Sequence, residues 1–540
     1  MTVPLPLILF PILALILYGP ALNGEAIYDD PSVLDDAKQP QWRVWHYPRP
    51  LTILLYRLTH VWPGTLRGHH VTNVLVHAVN CYLIYNVAET IGVNPWIAGL
   101  LMLAHPFAVN AVAYISGLAS VLSTTFGLLG CLLILQHHPL LSLLSVSMSV
   151  MAKQDGISFF PTLILLSLTN SQTRFAEIAG FIGLATAVPA ILYYRKHFSP
   201  EREARSHILE GFPPPMEQPD HAFTVLVHTL RLLPLWAFGF GSAVKHGGGI
   251  ETSALHVAES YIGMALLIFL GWFYPIPVTL LLCGPWLVYC VFRIHEPLAE
   301  YRNYAQVAGF ALLIGTLPLL LSVVAIGWFG YRTRSFSATY RTAIGFWTEA
   351  TRTGLGDRSL AWHNLGGHYM SAGKLQEAEE AAAQAVKLNP RCAPAMKNRA
   401  WCLVQLGREK EALPLMNLAC NAYPTNPLYW HEFAIMLQER GGSLSLADYA
   451  ITKALEIKPD SSMWNRAGII RYLKGQLESA EFCFGKAIAQ DENPVFRFNL
   501  ALTEKAMGFD NKADSILATL PRQLKITGDM IPPMTQEVAR

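Results

Sequence analysis

Five residues spaced 34 positions apart, Trp362, Met396, Trp430, Trp464 and Phe498, constrain the last third of this 540-residue chain more tightly than any other feature. A fixed period of this length implies one supersecondary unit per repeat, a helix pair that cannot bury its apolar face alone and stacks on its neighbours. Within the first unit Trp362, Leu365, Gly366, Tyr369, Ala378, Ala385 and Pro390 recur at set offsets, as do Ala400, Ala412, Ala419 and Pro424 in the second. Small residues suit the points where paired helices cross closely, and proline closes the second helix before the next unit. These aromatic and alanine positions are read as packing. No single residue of the solenoid's inner face stands out as a ligand contact.

The period is that of tetratricopeptide repeats, and four clear units with a looser fifth are expected over 359–520. A linker at 336–358 precedes them. A tail at 521–540, containing Met530-Ile531-Pro532-Pro533, is expected to be disordered.

The first 335 residues follow a different logic. Of the 78 charged residues, 44 lie in the last 200 positions and 34 in the first 340. Charged residues make up 14% of the whole chain, against roughly 25% in an average soluble domain, so the chain is not an ordinary soluble enzyme. Residues Val3–Leu22 form an uncharged apolar run long enough to cross a bilayer, without the basic flank of a cleaved signal. About eleven such stretches occur between there and Val307–Phe329, so the expected fold is all-α: a polytopic membrane bundle over 1–335, then the repeat solenoid. Between spans, Leu51–His60 with Arg57 suits a helix lying in the membrane interface. A net charge of +2 gives no footprint for nucleic acid, so none is expected as a partner. The eight cysteines show no C-x-x-C spacing.

Chemistry-bearing residues cluster at span ends. Tyr28-Asp29-Asp30 follows the first span, and adjacent carboxylates there suit a general base or a divalent cation. Arg49-Pro50-Leu51-Thr52, His70-x-x-Asn73-x-x-x-His77, His105-Pro106, Lys153-Gln154-Asp155-Gly156 and Glu300-x-Arg302-Asn303-Tyr304 follow in order. Ionisable groups in or beside spans point by default to a functional path.

These six motifs, in this order ahead of the repeats and with the junction Phe346-Trp347-Thr348-Glu349-Ala350, resemble those of the transmembrane, tetratricopeptide-containing O-mannosyltransferases and their prokaryotic relatives. The resemblance implies a GT-C-like fold and transfer of a sugar from a polyprenyl-phosphate donor to Ser or Thr of a protein on the non-cytoplasmic side. By the same resemblance Asp30 and Asp29 are the catalytic carboxylates, and Arg49, His105, Lys153 and Arg302 hold the donor phosphate. His70, Asn73, His77, Glu300 and Tyr304 support them. A divalent cation is the one candidate cofactor, with its ligands unassigned. Membrane lipid is the remaining partner.

The chain departs from the family pattern at Asn110, where a glutamate is usual, and at Leu118 and Ser120, where an arginine and a carboxylate are usual. With eleven spans and an inside N-terminus, the first loop, His105, Lys153 and the repeats share the outer side, whereas Glu300 and Arg302 begin on the other and rank below Asp30. The expected setting is a bacterial inner membrane with periplasmic repeats acting on a secreted or pilus protein, in preference to the endoplasmic reticulum. Two other classes fit the same residues: an inactive membrane scaffold that recruits extracytoplasmic proteins, and a lipid transporter.

Overall fold

The structure is a computed structural model that describes residues 4–27, 30–38, 49–60, 65–169, 227, 230, 254–282, 304–353, 358–440, 442–521 and 529–531. Every regular element among them is helical. The chain divides into two compact units, one reaching His368 and the other running from Tyr369 to the C-terminus.

The first unit contains α1 (Leu5–Leu17), α2 (Asp30–Ala37), α3 (Pro50–His60), α4 (Thr65–Thr90), α5 (Pro95–Ala104), α6 (Val109–Val112), α7 (Leu118–Leu135), α8 (Pro139–Ala152) and α9 (Phe159–Thr169). It continues with α10 (Ala254–Phe273), α11 (Pro275–Leu282), α12 (Gln306–Ile314), α13 (Leu319–Ser337) and α14 (Ala343–Thr353). Helix α4 is central, packed by α1, α3, α5 and α7. Helices α7 and α8 form a hairpin held by small and hydroxylated residues. Ser142, Ser145 and Ser149 donate to the carbonyls of Gly130, Phe126 and Ser123 at 2.7, 2.7 and 2.6 Å. A Cβ at Gly130 would stand 2.6 Å from Val146, so glycine sets how closely the pair approaches. Small residues and inter-helix hydroxyl bonds are the usual means of association where lipid removes the hydrophobic drive between helices.

Two helical stretches among the described residues, Leu66–Thr90 and Ile115–Leu135, are long and apolar enough to cross a membrane. A third arises if Pro95–Ala104 and Pro106–Val112, bent by 50° between them, make one span. Helices α10 and α13 turn bare apolar side chains outward, including Ile262, Phe269, Trp272, Leu320 and Val324. Such surface marks a membrane-associated protein. The larger expected number of spans is not matched among the described residues, because proline and glycine cut stretches such as Leu5–Leu17 and Pro139–Ala152 below spanning length. The stretch at 178–194 and most of 223–240 and 275–292 lie outside the described residues.

The repeat helices are α15 (Ser359–Ser371), α16 (Leu375–Leu388), α17 (Ala393–Gln405), α18 (Glu409–Ala422), α19 (Pro427–Glu439), α20 (Leu444–Ile457), α21 (Ser461–Leu473), α22 (Leu477–Gln490), α23 (Pro494–Ala506) and α24 (Asp510–Leu517). The predicted period is physically realised: Met396, Ala400, Ala412, Ala419 and Trp430 are all buried in one core with Phe433, Ala450 and Ile470. Asn426, Ser443, Asp460 and Asn493 each cap a helix by accepting from a backbone N–H of its first turn. Gly373, Gly407 and Gly475 take φ of +72°, +74° and +76° at the turns between helices.

One expectation changes here. The tail is expected to be disordered, yet its described residues Asp529–Ile531 are docked against α21 and α23. Packing explains the cysteines among the described residues: six are free and buried, and burial pushes Cys402 up to about 11 and Cys420 to about 12, which keeps those two thiols protonated.

Candidate functional site

Asp30 opens α2, where its carboxylate meets the positive end of the helix and is buried. The backbone N–H of Ile27 donates to Oδ2 at 3.0 Å, and the N–H and hydroxyl of Ser116 donate to Oδ1 at 2.8 and 2.7 Å. Ser116 lies in a single 3-10 turn, Ile115–Gly117, leading into α7. The turn is pinned by two further side chains. The Tyr56 hydroxyl donates to the Ile115 carbonyl at 2.7 Å, and Asn73 donates to the Tyr114 and Ile115 carbonyls at 2.7 and 3.3 Å. Gly117 is required, because a Cβ there would stand 2.2 Å from the Ala111 carbonyl oxygen.

Helix α3 carries Tyr56 into the site. Its apolar face, Ile53 and Tyr56, packs on Ile115 and Leu118, with Val33 and Leu34 of α2 alongside. Burial, and then the charge of Asp30, raise the Tyr56 pKa well above the phenol range, while Arg49 opposes them. Asp30 and Arg49 are thus both within electrostatic reach of that hydroxyl, which stays protonated and donating.

Lys153 ends α8 and is buried. Its ammonium lies 2.5 Å from Asp155 and donates to the Ser120 hydroxyl at 2.8 Å. Thr52 of α3 donates to the carbonyl of Ala152, the residue before it, at 2.8 Å. Gly156 is needed behind the lysine, since a Cβ would stand 2.5 Å from the backbone of Ser149. The segment Ser116–Ser120 therefore holds the Asp30 carboxylate at one end and the Lys153 ammonium at the other. Residues four apart on a helix are neighbours, so one short element presents a carboxylate and an ammonium together.

The remaining predicted residues fall into three places. His77 and Tyr304 meet directly, Nδ1 to hydroxyl at 2.5 Å; Asn80 donates to the same hydroxyl at 3.1 Å, and the Tyr18 hydroxyl lies 3.4 Å from Nε2. This buried network ties α1, α4 and the start of α12, and reads as structural support. His105 caps the turn after α5 by accepting from the Phe107 N–H, stacks on Phe310 and meets Phe329 edge-on. His70 is buried, with Nε2 beside Gly24. Asp29, Glu300 and Arg302 lie outside the described residues. Among the described residues no group of three or more His, Cys, Asp or Glu is placed to hold a metal ion.

Sequence reasoning missed Tyr56 and Ser116, which no local pattern marks, and it treated Ser120 and Asn110 only as departures. Ser120 is a partner of Lys153, and Asn110 accepts a hydrogen bond from the Tyr340 hydroxyl.

A tetratricopeptide-repeat family model matches residues 363–427. The chain is 31% identical over 150 residues to a Drosophila melanogaster protein named Protein O-mannosyl-transferase Tmtc2, covering 23% of this chain and 16% of that protein. It is 28% identical over 155 residues to the same organism's Protein O-mannosyl-transferase Tmtc1, covering 23% and 17%. A Xenopus laevis Protein O-mannosyl-transferase tmtc2 is 38% identical over 93 residues, covering 16% and 11%. Among solved structures, the tetratricopeptide protein YrrB is 20% identical with a TM-score of 0.29, covering 32% of this chain and 89% of that one. Pseudomonas aeruginosa pilF is 16% identical with a TM-score of 0.27, covering 31% and 78%. The chain spans less than a fifth of the length of each curated relative it matches, and over that stretch it is similar in sequence to the protein O-mannosyl-transferases of the Tmtc type.

Proposed function

We propose that this chain is a membrane glycosyltransferase of GT-C type that moves a sugar from a polyprenyl-phosphate carrier to a Ser or Thr hydroxyl of a secreted or pilus protein held by its repeats. The observation that carries the reading is the Ser116–Ser120 segment, with a buried carboxylate on one end and a buried ammonium on the other. The similarity to proteins named O-mannosyl-transferases supports the reaction class.

The chemistry asks for little more than this pair. A hydroxyl attacking an anomeric carbon must lose its proton as the bond forms, and a positioned carboxylate takes it. Three donors hold Asp30 in one orientation, so the base is aimed before substrate arrives. The departing lipid phosphate gains charge as the glycosidic bond breaks, and Lys153 and Arg49 supply cationic donors for it. A single displacement of this kind inverts the anomeric centre. The multi-pass setting, with repeats and site on the non-cytoplasmic side of a bacterial inner membrane, belongs to the same proposal, and so do the donor roles of His105 and Arg302 and the catalytic role of Asp29.

The test is Asp30→Asn in cells that co-express an acceptor. Asparagine keeps the shape and one acceptor oxygen but cannot take the proton. The intact mass of the acceptor is expected to show glycan loss of about 100-fold or more, the usual scale for a general base. Unchanged glycosylation would show that Asp30 is not the base.

A further inference from the structure

The ordered tail residues occupy a built site on the last two repeat units. Asn465 on α21 and Asn499 on α23 are one period apart, fully buried, and joined by a 2.8 Å hydrogen bond from Asn499 to Asn465. Both donate to the Asp529 carbonyl, at 2.9 and 2.7 Å, and the Oδ1 of Asn499 accepts from the Ile531 N–H at 2.9 Å. One amide side chain thus reads a carbonyl and the N–H two residues on, which identifies a peptide backbone whatever its side chains. At the equivalent positions of earlier units stand His363, Lys397 and His431, none of which presents a carboxamide to do both.

Selectivity comes from the two side chains on either side of Met530. Arg466, only 3% exposed, donates from Nη2 to the Asp529 carboxylate at 3.0 Å, while its Nη1 donates to Gln438 and lies 3.5 Å from Glu439. Ile531 enters a cluster of Ile469, Ala480 and Phe484, with Tyr472 and Leu500 at its edge. A buried guanidinium favours a carboxylate on each face, Glu439 on one and Asp529 on the other, and a pocket of this lining favours an aliphatic side chain.

We infer that the α21–α23 face is a recognition site for a peptide segment carrying an aspartate two residues before an aliphatic residue, and that the chain's own Asp529–Ile531 occupies it until a partner segment displaces it. As a statement about binding this stands apart from the transferase reading. Calling the partner an acceptor rests on that reading.

The test uses the full chain in detergent and a fluorescent peptide with the sequence of residues 526–533, followed by anisotropy. A chain ending at Gly528, or the full chain with Ile531→Asp, is expected to bind the peptide. The unaltered chain is expected to bind it at least about tenfold more weakly, because a tethered segment competes at roughly millimolar effective concentration. Replacing aspartate by asparagine, or isoleucine by aspartate, in the peptide is expected to weaken binding about tenfold or more. These peptide changes leave the protein's folding untouched. The inference is overturned if neither altered chain binds, if the exchanged peptides bind as well as the original, or if the unaltered chain binds as tightly as the shortened one. None of these results bears on sugar transfer, so the site can fail while the enzyme reading stands, and the reverse.

Discussion

Lys153 and Asp155 form the most heavily buried ion pair of the membrane unit among the described residues, with side chains 2% and 8% exposed. Two charges taken out of water are tolerated only together. Lys153→Met alone leaves the Asp155 carboxylate buried without the lysine's charge and should lower stability by about 3–5 kcal/mol, whereas Lys153→Met with Asp155→Leu should recover most of the loss. Thermal unfolding of the two purified variants in the same detergent decides this, and equal melting temperatures would mean that the pair is not coupled. The residue scale is also where the family comparison sharpens. Where the resembled family usually has a carboxylate, Ser120 accepts a hydrogen bond from Lys153, whose ion-pair partner is Asp155, two residues past it. That substitution is visible in the sequence as a loss; the contact Ser120 makes is not, because Ser120 and Lys153 are 33 positions apart and meet through the packing of α7 on α8.

At the scale of elements, what is legible in the sequence follows from periodicity and what is not follows from turns. The 34-residue spacing locates the repeat helices because each aromatic or alanine position has one geometric meaning in a stacked helix pair. The glycines that join those helices are equally periodic at Gly373, Gly407 and Gly475, and their positive φ gives the reason. Their role yields a paired prediction. Gly475→Ala puts a Cβ into the left-handed region and should cost about 1 kcal/mol. Gly485 sits exposed within α22, and a Cβ added there would meet nothing within 4 Å, so Gly485→Ala should add about 0.5–1 kcal/mol. Chemical denaturation monitored by the tryptophans of the repeats measures both, and shifts of the same sign would contradict the assignment. In the membrane unit the candidate site depends on a 3-10 turn and on α3 laid across it. Nothing in the pattern of Leu51–His60 announces that Tyr56 reaches the Ile115 carbonyl.

For the whole molecule, the uneven charge seen in the sequence corresponds to two compact units with different charge patterns. The sparse charges of the first are spent on a few buried partners such as Asp30 and Lys153, while the dense charges of the second include exposed pairs such as Arg408–Glu411 and Lys453–Glu456 that solvate a solenoid. If recruitment and chemistry are divided in this way, residues of the two units that share no partner should act additively. Asp30→Asn should therefore abolish transfer while leaving the affinity of the Gly528-terminated chain for the 526–533 peptide within about twofold, the usual margin for uncoupled sites. The comparison needs both readings on one preparation: anisotropy for the peptide, and mass of a co-expressed acceptor for transfer. A larger change in peptide affinity would mean that the Asp30 carboxylate and the Asn465–Asn499 face are energetically one system.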